Sequence, residues 1–246
     1  MPENTVVFTK QAHIASITLN RPAAGNAINR ELAHALEETC GRIKDDDDIY
    51  VVLLTGAGNA FSRGGEKGLG ETCHAAAAVA AIDRPVIAAI NGDALGLGLE
   101  IALSADIRIT SDKARFGLPH VAAGSLPRDG GTQRLPRIIG RGKALEMLLT
   151  AETISAAEAL EIGLVSKIVP AGELAEEAQK LAETIAAKGP IALRYLKEAI
   201  IKGMDMTLEQ GLRLEADLYF LLHTTADRTE GIKSYLEKRK PEYKGK

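Results

Sequence analysis

A glycine-rich turn at residues 91–100 has the residue types of a site that binds a negatively charged oxygen. The apolar run Val86–Ile90 predicts a buried strand before it, and a helix is expected from Gly96. The first N–H groups of a helix have no partner within the helix and carry the positive end of its dipole. They can bind a phosphate, or a carbonyl oxygen that becomes an oxyanion. Close helix–strand packing, which also needs glycine, is the alternative explanation.

A second glycine-rich loop, residues 56–70, follows another predicted buried strand, Tyr50–Thr55, and includes Gly64 and Gly65. An oxyanion hole commonly uses two converging N–H donors, and loss of one typically slows a reaction by about 10²–10³-fold. Neither loop matches the GxxxxGK[ST] or GxGxxG pattern of nucleotide-binding sites. The pair of loops therefore favours an oxyanion hole over a phosphate site.

Three ionisable residues accompany these loops: Glu100, His120 and Asp129. Burial would raise the pKa of Glu100, whereas a helix N-terminus would lower it. A histidine has an unperturbed pKa of about 6.5, and a nearby aspartate can fix its tautomer. These residues could therefore exchange protons with a substrate. The alternatives are that Glu100 only stabilises the helix start and that Asp129 caps a loop before two glycines.

The elements that must position these groups alternate between strand and helix in the first half of the chain. Strands are predicted at 5–9, 13–19, 50–55, 86–90, 106–110 and 115–117, and helices at 30–44, 71–82 and 96–104. From about residue 140–170 onward the pattern is mostly helical, with helices predicted at 171–187, 190–202, 207–223 and 226–238. Ser155–Glu158 and Thr207–Gln210 predict capping boxes.

Composition excludes several classes of protein. A net charge of −3 argues against a broad cationic face for nucleic acid. Two cysteines, Cys40 and Cys73, are too few for a disulfide scaffold or a CxxC zinc site. No metal site is expected, and the acidic run Asp45–Asp48 is interpreted as a solvated loop. The first residues lack a signal-peptide core and no apolar run is long enough to span a membrane, so a cytoplasmic protein is expected.

Segments spread over almost the whole chain are similar to the enoyl-CoA hydratase/isomerase (crotonase) family. The resemblance rests on Ile17–Pro22, Asn26–Ala27, Ala60–Phe61 with Gly64, Pro85–Gly92, Ala94–Gly96 with Gly98 and Glu100, Ala105–Ile107, Phe116–Pro119, Gly130–Leu135, Gly163–Val165, Glu230–Gly231, Glu237–Arg239 and Pro241. It implies an α/β fold, a crotonase-like stacked ββα spiral with a C-terminal helical oligomerisation region. The core is expected at residues 1–190 and a trimerisation region at 191–246, forming a homotrimer or a dimer of trimers.

The resemblance also implies an acyl-CoA thioester substrate, an enolate intermediate and no cofactor beyond the coenzyme A of the substrate. By position, the oxyanion donors would be the backbone N–H groups of Gly65 and Leu97, although the family usually has glycine where Leu97 stands. Glu66 replaces the usual aspartate, and the segment between Gly65 and Pro85 is short for the family. The substrate-binding residues are expected to be Ala24, Arg63, Gly64, Glu66, Gly96, Leu118 and Pro119.

The main departure from the family lies at His120, where the hydratases carry the second of two catalytic glutamates, the first being Glu100. The leading hypothesis is an enoyl-CoA hydratase in which Glu100 positions water and His120 is the partner acid or base. The His120–Asp129 pair instead resembles the crotonase-family β-diketone hydrolases, such as the oxocamphor hydrolases, which cleave a C–C bond with water. An enoyl-CoA isomerase and a non-catalytic binding protein on the same fold are further alternatives.

Overall fold

The computed structural model describes residues 4–66, 69 and 73–246. Its strands are β1 (Val6–Gln11), β2 (Ile14–Leu19), β3 (Val51–Gly56), β4 (Ala60–Ser62), β5 (Val86–Ile90), β6 (Asp93–Leu95), β7 (Ile107–Ser111), β8 (Arg115–Gly117), β9 (Ile154–Ser155) and β10 (Lys167–Val169). Its α-helices are α1 (Arg30–Asp45), α2 (Ala75–Ala80), α3 (Leu97–Leu103), α4 (Gly131–Ile139), α5 (Arg141–Thr150), α6 (Ala156–Glu161), α7 (Leu174–Ala186), α8 (Pro190–Gly203), α9 (Leu208–Leu222) and α10 (Ala226–Leu236). Two 3-10 helices span Pro22–Ala24 and Pro119–Ala123.

The larger sheet has the strand order β1-β2-β3-β5-β7-β10. β1 and β2 form the expected hairpin, pairing antiparallel from Val6 opposite Leu19 to Gln11 opposite Ile14. The other neighbouring strands pair in parallel. The continuous apolar runs of β3 and β5 are buried because helices cover both faces of this sheet.

The smaller sheet has the order β4-β6-β8-β9, and β4, β6 and β8 pair in parallel. Each of these three short strands follows one strand of the larger sheet: β4 follows β3, β6 follows β5, and β8 follows β7. A helix comes next, α2 after β4 and α3 after β6. This repeated strand–strand–helix unit is the stacked ββα arrangement expected from the sequence, and it places the ends of successive units side by side.

Most boundaries of the predicted elements agree with the structure, but several elements were not predicted. The short strand β4 lies in the predicted loop 56–70, and β9 and β10 fall outside the predicted strands. The region 91–95, predicted as a turn, contains the short strand β6. The helix predicted at 71–82 is observed as Ala75–Ala80, and its predicted first residues 71 and 72 lie outside the described part of the chain. Helices α4 and α5 were not predicted, because Pro136 and several glycines interrupt their helical pattern.

Helix caps mark the predicted helix starts. Asn29 caps α1 by accepting a hydrogen bond from the N–H of Leu32. At α9 the predicted capping box is complete, since Thr207 and Gln210 each accept from the other's backbone N–H. At α6 only one half is formed, with Ser155 accepting from the N–H of Glu158.

The acidic run Asp45–Asp48, expected to be a solvated loop, is largely paired. Asp46 and Asp48 both contact the ammonium of Lys10, at 2.8 and 2.9 Å. The carboxylate of Asp47 lies 3.3 Å from the guanidinium of Arg84, which is itself buried. The run is nevertheless largely exposed, and residues 46–48 lie outside any helix or strand, as the solvated-loop interpretation expected.

The three C-terminal helices α8–α10 differ from the rest of the fold in leaving many large apolar side chains in solvent. Examples are Met204 at 73%, Leu208 at 80% and Phe220 at 70% exposure. The predicted boundary at 190/191 falls at the first turn of α8, and the division into core and trimerisation region stays a prediction. Among the described residues, no helix has both the length and the apolar character needed to cross a membrane.

Candidate active site

The two glycine-rich loops meet at Gly64 and Gly96. A Cβ atom built on either glycine would lie 3.7 Å from the Cα atom of the other. Both residues have positive φ, +102° at Gly64 and +51° at Gly96, which side chains strongly disfavour. The predicted convergence of the two strand ends is therefore present, and it depends on glycine at both positions.

Close packing explains other glycines of these segments. A Cβ on Gly98 would lie 2.3 Å from the carbonyl oxygen of Ser62, and one on Gly92 would lie 2.1 Å from that of Asn59. Both distances are far below contact, so any side chain there would force the smaller sheet away from the turn. Close helix–strand packing, the alternative explanation for the glycines of the turn, therefore accounts for Gly92 and Gly98. Gly96 is required for a different reason, its positive φ.

The backbone N–H groups of Gly65 and Leu97 have no hydrogen-bond acceptor among the described residues. Their neighbours do: the N–H of Gly64 donates to Ser62 Oγ, that of Glu66 to the carbonyl of Ile28, and that of Gly96 to the carbonyl of Gly117. Leu97 is the first residue of α3, which has no side-chain cap. These two N–H groups are the predicted oxyanion donors, and they remain open to a ligand oxygen.

The carboxylate of Glu100 is fully buried, and its two oxygens differ in their hydrogen bonding. Oε1 accepts hydrogen bonds of 2.8 Å from the N–H groups of Asp129 and Gly131. Oε2 has no partner within the described structure. Burial raises the pKa of Glu100 above that of an ordinary carboxyl group, while the two N–H donors act in the opposite direction. Oε1 is thus held in place by the backbone, and Oε2 is available to accept a hydrogen bond or a proton from a ligand.

His120 lies in the 3-10 helix Pro119–Ala123, with Nε2 at 3.9 Å from Glu100 Oε2. Its side chain is one-fifth exposed, and its buried Nδ1 lacks a hydrogen-bond partner in the part of the chain that is described. Burial lowers the pKa of His120, and the positive charge of Arg128 lowers it further. The changes in pKa bring the carboxyl and imidazole groups closer together in proton affinity.

The expected contact between Asp129 and His120 is not formed. The carboxylate of Asp129 instead accepts from the N–H groups of Ala76 and Ala77 at the start of α2, at 2.6 and 3.1 Å. No hydrogen bond between described residues joins it to His120. Burial raises the pKa of Asp129, and the two N–H donors oppose this. The loop does return past the site, as expected, but the side chain turns toward α2 and the backbone N–H toward Glu100.

A cavity of about 420 Å³ lies between these groups, a volume within the usual range for small-molecule sites. Nine of the predicted residues line it: Arg63, Gly64, Gly65, Glu66, Gly96, Leu97, Glu100, Pro119 and His120. Three predicted residues do not. Leu118 is fully buried behind the wall, Ala24 lies on the exposed 3-10 helix Pro22–Ala24, and Asp129 faces α2.

Five lining residues were missed: Leu69, Ala123, Ser125, Leu126 and Arg128. Four of them belong to the connection between His120 and Asp129, which has no local pattern that distinguishes a pocket wall from an ordinary loop. The carboxylate of Glu66, which replaces the family's usual aspartate, lies 2.7 Å from the guanidinium of Arg21. No group of three or more His, Cys, Asp or Glu side chains suited to a metal ion occurs among the described residues.

Comparison with known proteins agrees with this geometry. The chain matches the family model "Enoyl-CoA hydratase/isomerase" over residues 9–246. It is 43% identical over 246 residues to the (E)-benzylidenesuccinyl-CoA hydratase of Thauera aromatica, covering 95% of this chain and 96% of that protein. The short-chain-enoyl-CoA hydratase of Clostridium acetobutylicum is 38% identical, with 98% of each chain covered.

Solved structures show the same relationship in three dimensions. A crystal structure of an enoyl-CoA hydratase from Bacillus anthracis superposes with a TM-score of 0.93 at 39% identity, covering 98% of this chain and 100% of that one. Sequence and fold thus agree over nearly the full length. The chain belongs to the enoyl-CoA hydratase/isomerase family.

Proposed function

We propose that this protein is an enoyl-CoA hydratase, which adds water across the α,β double bond of an acyl-CoA thioester. The observation that carries the proposal is the convergence, in one cavity, of two open N–H groups and a carboxylate–imidazole pair. The family relationship supports it, since the related proteins named above are hydratases of CoA thioesters. The reaction needs no metal and no cofactor other than the coenzyme A of the substrate.

The N–H groups of Gly65 and Leu97 would donate to the thioester oxygen. Negative charge grows on that oxygen as the enolate forms, so fixed donors there stabilise the transition state more than the bound substrate. The side chain of Leu97 is buried, with Cδ2 at 3.8 Å from the position of a Cβ on Gly65, and a backbone donor does not require a particular side chain. A leucine can therefore replace the family's usual glycine at this position.

Glu100 and His120 would share one proton and exchange it with water and substrate. Glu100 Oε2 takes a proton from water as the water oxygen bonds to the β-carbon. The His120 imidazolium gives a proton to the α-carbon from Nε2. The pair is then reset by passage of the proton from Glu100 to His120. Oε2 and Nε2 lie 3.9 Å apart, so this transfer requires the imidazole to approach to hydrogen-bond distance. The raised pKa of Glu100 and the lowered pKa of His120 suit this exchange.

The β-diketone hydrolase alternative loses the contact that motivated it, because the carboxylate of Asp129 is bonded to α2. The relatives named above differ in acyl group, one being named for short-chain enoyl-CoA and the other for (E)-benzylidenesuccinyl-CoA.

The test is to offer crotonyl-CoA and larger or cyclic enoyl-CoAs and to follow the loss of the conjugated enoyl absorbance. We expect formation of the 3-hydroxyacyl thioester from at least one of them, and much slower turnover by His120→Ala. The variant His120→Glu, which restores the glutamate usual in hydratases, should retain more activity than His120→Ala. Absence of turnover over the whole panel, together with absence of CoA-thioester binding by calorimetry, would overturn the proposal.

Self-association as a homotrimer or a pair of trimers is part of this proposal. It is supported by the apolar side chains that α8–α10 leave exposed, since monomeric proteins rarely leave large apolar patches in solvent. Light scattering on the purified chain should give a mass three or six times that of the monomer. A monomeric mass would contradict it.

A further inference from the structure

Arg128 brings a positive charge to the wall of the active-site cavity. Its guanidinium has no carboxylate partner and no hydrogen-bond acceptor among the described residues. Other guanidinium groups of this region are engaged: Arg63 lies 3.5 Å from Asp93, and Arg134 donates to the carbonyl oxygen of Asp129. Arg128 is therefore the cation of the cavity wall that is available to a ligand.

Arg128 is exposed to solvent, and the cavity wall to which it belongs is partly apolar. Leu126 and Ala123 of the same connection line the cavity, and Leu69 and Leu97 line it as well. These side chains suit the methylene groups of an acyl chain.

The two carboxylates of the cavity lining have other partners, Glu66 at Arg21 and Glu100 at backbone N–H groups. A carboxylate that reached Arg128 would form charge-assisted, bidentate hydrogen bonds with its guanidinium.

Arg128 and Arg63 stand on different walls. Arg63 belongs to the loop that carries Gly65, and its side chain packs over Gly25. Arg128 belongs to the connection that follows His120, lines the same cavity, and contributes through its positive charge to the lowered pKa of His120. Arg128 thus lines the same cavity as His120, the residue proposed to protonate the α-carbon.

We propose that Arg128 makes the cavity selective for enoyl-CoA thioesters whose acyl group carries a second carboxylate. This inference rests on the proposed hydratase function and names its substrate class. The guanidinium binds the distal carboxylate while Gly65 and Leu97 hold the thioester oxygen, so both ends of the acyl group are fixed around Glu100 and His120. Fixing both ends favours the geometry in which water reaches the β-carbon.

The experiment compares, at each of several chain lengths, an enedioyl mono-CoA thioester with its methyl ester, which has nearly the same shape and no charge. The measured quantity is the ratio of kcat/KM for the acid to kcat/KM for the ester. At the best chain length the ratio is expected to reach about two to five, the range for an ion pair at an exposed side chain. Arg128→Gln should bring the ratio close to one, Arg128→Lys should retain part of it, and Arg128→Glu should reverse the preference.

Arg63→Gln is the matched control, because it removes a guanidinium from the same cavity. It should change kcat/KM for acid and ester by the same factor and leave their ratio intact. If Arg128→Gln changes kcat/KM for both substrates by one common factor and leaves their ratio as in the unaltered protein, Arg128 acts on coenzyme A or on His120 and the inference is wrong. The inference is also wrong if Arg128→Gln still prefers the acid over the ester.

Failure of the hydratase proposal would look different. In that case neither acid nor ester is hydrated by the unaltered protein at any chain length. Calorimetry with the corresponding saturated thioesters then tests whether Arg128 binds the distal carboxylate. Tighter binding of the acid, lost in Arg128→Gln, would support the carboxylate site apart from the reaction, and equal binding of acid and ester would overturn it.

Discussion

Two buried carboxylates lie in neighbouring parts of this site and are used in opposite ways. Both oxygens of Asp129 accept hydrogen bonds from the backbone at the start of α2. Only one oxygen of Glu100 is bonded, and the other faces His120 in the cavity. Burial raises the pKa of both, so burial alone does not distinguish a reactive carboxylate from a structural one. The distinguishing feature is the unpartnered oxygen.

The largest effect is expected for Glu100→Gln. The amide oxygen can still accept from the N–H groups of Asp129 and Gly131, so the fold is retained, but the amide cannot take a proton from water. We expect kcat to fall by about 10²–10⁴-fold, the usual contribution of a general acid or base. Steady-state hydration rates measure the loss, and thermal unfolding checks that the variant is folded. Activity within a few-fold of the unaltered protein would show that the free oxygen is not used.

The next largest effect is expected for Leu97→Pro, which removes the second proposed oxyanion donor. Proline is tolerated at the first position of a helix because that N–H has no partner within the helix. Loss of one oxyanion donor typically lowers kcat by about 10²–10³-fold. Leu97→Ala is the control, since it shortens the side chain and keeps the N–H. Equal losses in the two variants would mean that the side chain matters and the N–H does not.

For Asp129→Asn we expect a change in stability and a smaller change in rate. An asparagine has one acceptor oxygen where Asp129 uses two, so one buried N–H at the start of α2 loses its partner. Such a loss is expected to lower the free energy of unfolding by about 1–3 kcal/mol, measured by urea denaturation. If Asp129→Asn leaves stability unchanged and lowers activity as much as Glu100→Gln does, Asp129 has a catalytic role and not a structural one.

The smallest effect concerns the pH dependence of the Glu100–His120 pair. The positive charge of Arg128 disfavours proton binding at His120 and so lowers its pKa, after the larger effect of burial. Removing that charge in Arg128→Gln should make the pair bind protons more tightly. Both limbs of the profile of kcat/KM against pH should then move to higher pH, as should the imidazole titration followed by NMR. Movement to lower pH, or none, would show that Arg128 does not act on His120.

Much of the fold followed from local sequence patterns. The apolar runs of β3 and β5, the hairpin of β1 and β2 and the Asn29 cap of α1 depend on neighbouring residues, and the structure has all of them. The two glycine loops could also be identified, because positive φ and close backbone contact leave glycine as the only fitting residue. Helices α4 and α5 could not, because their stability comes from packing that overrides Pro136 and the flanking glycines.

The sequence by itself determined which residue types come to the site: two glycine loops, Glu100 and a histidine in place of a glutamate. Only the tertiary structure decided how the polar atoms are paired. It turned Asp129 toward α2, left Glu100 Oε2 free beside His120, paired the acidic run with distant cations and brought Arg128 into the cavity wall. The reason is that a side chain's partner is set by segments far away in the chain, whereas strand, turn and cap preferences are set by adjacent residues.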